Sequence, residues 1–293
     1  MTRTDQRPFR LTYADEPGRS VRGVIELPTN SARPVPFVLI VHGFMGFMDW
    51  GFFPLLAERL VAHGLAAVRF DLSGSGVGDD GVDFSAPQAL ERDTPSRSLE
   101  DIARVRAFCE REVPALDASR VGLVGHSRGG ALALLHAAER PDTRAVVTWN
   151  SLASFARWDR ATIQAWRRDG FLPIANGRTK QVFRLSTALL DDLALHGERL
   201  DPLKRCAGLA VPALLVCGEA DETVAPRASA ELAESLADAR LERIPGAGHT
   251  FGARHPLEAQ EPALERALLR TAEFLSVRLE TTSGQGGWET PTT

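Results

Sequence analysis

Residues 122–130 read GLVGHSRGG, and within them Gly125-His126-Ser127-Arg128-Gly129 forms a G-x-S-x-G pentapeptide. An apolar run, RVGLVG at 120–125, leads into it, and a segment with helical spacing, ALALLHAAE at 131–139, leads away. Small residues flank a serine at such a junction because the backbone turns so sharply that bulkier neighbours would clash. The turn lifts the Ser127 hydroxyl out at the carboxyl edge of a sheet, at the positive end of the helix that follows. The same five residues could also be a plain strand-to-helix turn whose serine caps the helix. What the rest of the chain supplies decides between the two.

Further apolar runs of strand length lie on either side: PFVLIV at 36–41, LAAVRF at 65–70, RAVVTW at 144–149 and ALLVC at 213–217. They are continuous rather than alternating, as expected of parallel strands covered on both faces. Helical patterns separate them. In SLEDIARVRAFCEREV the residues Leu99, Ile102, Val105, Phe108 and Cys109 share one face, with Ser98 and Asp101 offering a cap and an acidic first turn. RASAELAESLAD at 227–238 and PALERALLRTAEFLSVRLE at 262–280 also read as helices. Alternating strands and helices imply right-handed crossovers and an α/β fold with a mostly parallel sheet. FRLTYAD and SVRGVIEL near the start alternate more like an antiparallel hairpin at the sheet's edge. The stretch 151–208 shows no clear strand yet carries large apolar groups such as Phe155, Trp158, Ile163, Trp166, Phe171 and Phe183. It reads as an inserted helical cap, the alternative being extra helices packed on the sheet. The core is then 1–150 with 209–281, and the Gly/Thr-rich tail at 282–293 reads as disordered.

Two later segments give the serine its partners. GEADETV at 218–224 places Asp221 in the loop beyond a strand, and GAGHTF at 246–251, after RLERIP, places His249 in another. Serine is a poor nucleophile until an imidazole accepts its proton, and the imidazole needs a carboxylate to fix its tautomer and stabilise its charged form. The chain order is nucleophile, acid, base, with Glu219 and Glu222 as competitors for the acid role. Acyl transfer also needs donors for the oxyanion. The loop VHGFMGF at 41–47 and the residue after the nucleophile supply them in this architecture, which assigns the backbone N–H groups of Phe44 and Arg128. His42 reads as structural.

Together HGF, the Gly-rich loop after the next strand, GHSRGG, GEADETV and GAGHTF resemble the α/β-hydrolase superfamily, in order and across about residues 20–280. Within it, the HGFMG loop, the DLSGSG loop and the insertion after the sixth strand are similar to bacterial cinnamoyl/feruloyl-type esterases. The resemblance implies an eight-stranded, mostly parallel sheet, a Ser127-His249-Asp221 triad, no metal or organic cofactor, and a substrate pocket beneath the cap. A serine rather than an aspartate nucleophile argues against dehalogenases and epoxide hydrolases. The reaction expected is hydrolysis of small-molecule carboxylic esters with uncharged aryl or acyl groups. A thioesterase or a serine aminopeptidase would use the same machinery; the latter would need an acidic cap residue such as Asp191, Asp192 or Glu198 facing the serine. A non-catalytic binding protein on the same shell is the alternative of a different class.

Bulk properties narrow the partners. A chain of 293 residues, 44% hydrophobic and with a net charge of −4, has no basic field for nucleic acid or anionic membranes. Cys109, Cys206 and Cys217 are scattered without a CxxC, which suits a reducing cytoplasm better than a zinc site or a disulfide framework. The N-terminus lacks an apolar leader core, and a homodimer is compatible with the composition. The stretch FDLSGSGVGDDG at 70–81 raises a nucleotide-binding oxidoreductase as a rival. Its spacing, Gly74-x-Gly76-x-Gly78, is not G-x-G-x-x-G, no helix begins at once, and Asp79 and Asp80 would repel a pyrophosphate. It reads as a scaffold for the oxyanion loop, with Asp71 and Ser73 bonded inside their own turn.

Overall fold

The computed structural model describes residues 4–29 and 33–280; the tail at 282–293 lies outside the described residues. In chain order the elements are β1 (Thr4–Thr12), β2 (Ser20–Pro28), β3 (Val35–Val41), α1 (Phe53–Ala62), β4 (Ala66–Asp71), α2 (Pro87–Glu91) and α3 (Pro95–Glu112). There follow β5 (Leu116–His126), α4 (Arg128–Glu139), β6 (Thr143–Trp149), α5 (Arg160–Asp169), β7 (Phe171–Ala175), β8 (Val182–Ser186) and α6 (Ala188–His196). The chain closes with α7 (Pro202–Cys206), β9 (Ala213–Gly218), α8 (Arg227–Ser235), β10 (Ala239–Ile244) and α9 (Pro262–Glu280).

Eight strands form one sheet in the order β1-β2-β4-β3-β5-β6-β9-β10. From β4 to β10 every pairing is parallel, while β2 runs antiparallel to both β1 and β4. The edge hairpin and the mostly parallel sheet are therefore as the sequence implied. The continuous apolar runs have their predicted cause, since every residue of β3, β4 and β9 is buried. Val38 and Ile40 of β3 face the side covered by α1 and α9, while Phe37, Leu39 and Val41 face α3, α4 and α8. With a period of two, both faces of the strand must be apolar.

The parallel strands bring the ends of β3, β4, β5, β6, β9 and β10 to one edge, and the loops that leave it carry HGFMG, the Gly-rich stretch, Ser127, Asn150, Asp221 and His249. The segment between β6 and β9 covers this edge, and here the sequence reading needs correcting. It is not wholly helical: β7 and β8 pair as an antiparallel hairpin from Phe171↔Ser186 to Ala175↔Val182. Pro173 and the polar stretch 176–181 disguise the first strand. The second does alternate, with Phe183 and Leu185 buried and Val182 and Arg184 exposed.

Helix α3 starts earlier than its pattern suggested. Thr94 is the N-cap and accepts a hydrogen bond from the Arg97 N–H, with proline in the first turn. Ser98 and Asp101 are instead buried within the helix, Ser98 donating to Asp93 and Asp101 accepting from Tyr13 Oη at 2.6 Å. The Gly-rich loop is scaffold, as expected, but its polar groups bond outside their own turn. Asp71 accepts from Met48 N–H at 2.7 Å and from Arg22 Nε at 2.6 Å, and Ser73 bonds to Asp101 at 2.8 Å. Asp79 pairs with Arg10. Phe84 and Leu90 pack with Phe47 and with Phe183 of β8, so the loop also forms a seat for the covering segment.

Candidate active site

Ser127 sits between β5 and α4 with φ 56° and ψ −120°, in the left-handed half of backbone space. A serine there is strained, and the surrounding contacts must hold it. Its N–H donates to Trp149 O at 2.8 Å. The flanking glycines explain themselves by distance: a Cβ on Gly125 would lie 2.1 Å from Gly129 O, and one on Gly129 would lie 2.2 Å from Val41 O. The backbones of β5, α4 and β3 therefore meet with no room for a methyl group. Ser127 is 9% exposed, at the first residue before α4.

His249 Nδ1 lies 2.7 Å from Asp221 Oδ2. Asp221 is buried and also accepts from the N–H groups of Thr223 at 2.8 Å and Val224 at 2.9 Å, whereas Glu219 and Glu222 are exposed. Burial alone would raise the Asp221 carboxyl, but the bond from His249 and these N–H donors outweigh it and leave its pKa below the usual carboxylate value. An aspartate in this setting is an ionised acceptor that fixes the imidazole with Nδ1 protonated and Nε2 free. Among the described residues the Ser127 hydroxyl is not hydrogen-bonded to His249; without substrate, catalytic hydrogen bonds are often long and tighten in the complex.

The residue before the serine joins the two loops. His126 Nε2 lies 2.9 Å from His249 O, and the two imidazole centroids are 4.7 Å apart. Burial and the neighbouring His249 push the His126 pKa down to about 3, so its ring is neutral and packs as an aromatic wall beside Phe52. His42 is structural, as expected: it is buried and its Nε2 accepts from Leu72 N–H at 3.0 Å, tying the HGFMG loop to the Gly-rich loop.

Phe44, Ser127 and Arg128 line one slot. A Cβ on Gly43 would lie 3.2 Å from Ser127 Cβ, so the HGFMG backbone reaches the serine closely at this point. The Arg128 N–H belongs to the first turn of α4, where no carbonyl of the helix can take it. The Arg128 side chain is held away by Asp93, which it grips with both Nη atoms, and by Ser98 at 3.1 Å. The slot has a volume of about 100 Å³ and its other walls are mostly apolar, among them Leu152, Phe155, Trp158 and Leu189 from the covering segment. None of Asp191, Asp192 or Glu198 lines it.

One residue of the site escaped the sequence reading. Asn150, at the end of β6 with φ 48°, is 2% exposed; its Oδ1 accepts from Gly218 N–H at 2.8 Å and its Nδ2 donates to His249 O at 2.8 Å. It pins the loops of Asp221 and His249 to each other. An asparagine directly after an apolar strand, in WNS at 149–151, was the available signal. Among the described residues no group of three or more His, Cys, Asp or Glu side chains could hold a metal ion, and no helix is long and apolar enough to cross a membrane.

Comparison with known proteins agrees with this architecture. Est1E from Butyrivibrio proteoclasticus, in a structure with ferulic acid bound, superposes with a TM-score of 0.71 at 22% identity, over 92% of this chain and 100% of that one. A dienelactone hydrolase from Anabaena variabilis gives 0.62 at 20% identity, over 94% and 99%. These likenesses establish the fold. In sequence, the uncharacterized peptidase YuxL of Bacillus subtilis (strain 168) is 25% identical over 255 residues, 83% of this chain, which spans 36% of that relative's length. Residues 38–262 match the model of the alpha/beta hydrolase family. With more than half its length in that match and the sheet to go with it, the chain belongs to the alpha/beta hydrolase family.

Proposed function

We propose that the protein is a serine hydrolase that cleaves carboxylic esters through an acyl-enzyme on Ser127. The observation that carries this reading is the 2.7 Å bond from His249 Nδ1 to the buried Asp221, at the same sheet edge as a serine held in left-handed backbone. In the reaction, Ser127 Oγ bonds to the ester carbonyl carbon as His249 Nε2 takes its proton, and Asp221 stabilises the imidazolium. The N–H groups of Phe44 and Arg128 hold the oxyanion. The carbon–oxygen bond to the alcohol then breaks, with His249 returning the proton to the leaving oxygen. Water, deprotonated by the same nitrogen, attacks the acyl-enzyme and releases the acid and Ser127. The apolar walls favour an acyl or aryl group without charge on the atoms that fill the slot, and its small volume favours a short one.

Thioesters would suit the same groups, and the relative named as a peptidase raises aminoacyl amides. None of the acidic side chains proposed to hold a substrate amine, Asp191, Asp192 and Glu198, lines the slot. Asp191 pairs with Arg167, and Asp192 accepts from Ser96 N–H at 3.0 Å. Esters are therefore the favoured class. A fluorophosphonate probe should label Ser127, and Ser127→Ala should abolish labelling and lower turnover of short esters by about 10⁵ to 10⁶ with the fold intact. Wild-type turnover in that variant would remove the assignment, and absence of labelling in the native protein would favour a binding role. Short esters, acyl thioesters and aminoacyl amides assayed side by side separate the leaving groups.

A further inference from the structure

The slot at Ser127 carries charge of one sign only. Its two charged walls are Arg128 and Arg157, and no carboxylate lines it. Arg128 is already neutralised, because Asp93 holds both arms of its guanidinium. Arg157 is different. It lies at the exposed end, where the covering segment leaves β6, and its Nη2 donates to Thr223 O at 2.8 Å, two residues beyond Asp221. Among the described residues no carboxylate pairs with it. The neighbouring Trp158 packs edge-on against Trp166 at 5.0 Å, so the wall beside it is fixed.

We infer that the substrate's acyl chain ends in a carboxylate that Arg157 binds at the mouth, while the apolar slot takes the methylenes between that group and the ester. The inference rests on Ser127 as the nucleophile and adds the substrate class. With Nη2 engaged to Thr223 O, the guanidinium keeps N–H donors free, and the fork geometry of such donors fits a planar carboxylate. A singly charged group also matches a single unpaired cation. An arginine tied to the loop that carries Asp221 would hold the far end of the chain in register with the reacting carbonyl.

The test compares monomethyl glutarate with methyl pentanoate, which share a five-carbon acyl chain and differ in a terminal carboxylate against a methyl group. Acid release is followed by pH-stat at about 20 mM and about 500 mM salt, which bracket physiological screening. The native protein should favour the half-ester by about fivefold in kcat/KM at low salt, the size of an exposed ion pair, and high salt should erase most of this. Arg157→Gln should bring the ratio toward one, Arg157→Glu should invert it, and Arg157→Lys should retain a salt-sensitive preference. Methyl pentanoate turned over with no preference for the half-ester, or a preference that survives Arg157→Gln, overturns the inference and leaves the hydrolase reading standing. Hydrolysis of neither ester, with Ser127 unlabelled, overturns both.

Discussion

At the scale of single residues, the site depends on atoms that the triad pattern does not name. Asn150 bridges Gly218 N–H and His249 O with one amide, and its left-handed backbone is one that asparagine adopts at modest cost. Removing the amide leaves the buried Gly218 N–H unpaired, a loss of about 1–3 kcal/mol, and takes one of two partners from His249 O, which keeps His126 Nε2. If the two loops then relax apart, His249 loses its alignment. Asn150→Gly keeps the backbone geometry, so its effect isolates the amide. We expect kcat on a short ester to fall about tenfold to a hundredfold with KM little changed, since alignment and not binding is lost. Asn150→Asp should be at least as poor, because its carboxylate would face the His249 and Gly248 carbonyls. A pure stability role would instead lower the midpoint of unfolding and leave kcat of the folded fraction alone. Asp221→Asn tests the tautomer separately: the amide would leave the geometry in place and cost about 10⁴ in kcat.

At the scale of elements, helix α4 shows how function and stability divide one segment. Its first turn carries Arg128 and Gly129, which passes under β3, and its C-terminal part buries His136, neither of whose ring nitrogens is hydrogen-bonded among the described residues. Burial, with Arg106 and Arg140 nearby and Asp142 opposing them, pushes the His136 pKa down to about 3. In the unfolded chain the same ring titrates near 6.5. Between these values the unfolded state binds the extra proton, so stability is full above about pH 6.5 and falls as pH drops toward 3. His126 acts in the same direction, with its pKa also near 3. We expect His136→Leu to raise the unfolding midpoint by several degrees at neutral pH, from the removal of unpaired polar atoms, and to make the acid decline shallower. Calorimetry from pH 4 to 7 checks both; equal slopes for variant and native protein would refute the linkage. The helix itself was legible in ALALLHAAE because its apolar positions are dense, whereas the cap of α3 was not, since Thr94, Ser98 and Asp101 are equally good caps by type. Only their partners tell them apart: Thr94 accepts from the Arg97 N–H, whereas Ser98 and Asp101 bond to Asp93, Tyr13 and Ser73.

At the scale of the molecule, the parts that were legible are those with a local signature. Continuous apolar strands, G-x-S-x-G and the loops of Asp221 and His249 each carry their reason in a few adjacent residues. What stayed hidden joins distant segments: Asn150 to two loops, and the Gly-rich loop to the covering segment through Phe84, Phe47 and Phe183. That last contact makes a prediction about the whole fold. The main core clusters run through the helix layers of the sheet, while the covering hairpin is seated on two small clusters, Phe183 with Phe84 at 5.7 Å and through it Phe47 at 6.2 Å, and Leu185 with Trp166, Leu189 and Leu190. The hairpin's turn is fastened by Arg178, whose guanidinium lies 5.8 Å from the Phe47 ring and 5.7 Å from the Phe84 ring. A segment held by clusters so much smaller than the core opens locally at lower free energy than the sheet unfolds. Phe84→Ala removes the ring on which Phe183 and Arg178 both rest, leaving a cavity that truncation of a buried phenylalanine prices at about 3–5 kcal/mol at most. Much of that loss should fall on opening of the hairpin. Trypsin should then cut at Arg178, Lys180 and Arg184 about tenfold or more faster than in the native protein, as a rise in the open population predicts. Because the HGFMG loop shares the same rings through Phe47, ester turnover should fall in parallel with the rise in cleavage. Cleavage that speeds up only as the whole protein unfolds would show that the hairpin and the sheet are one cooperative unit.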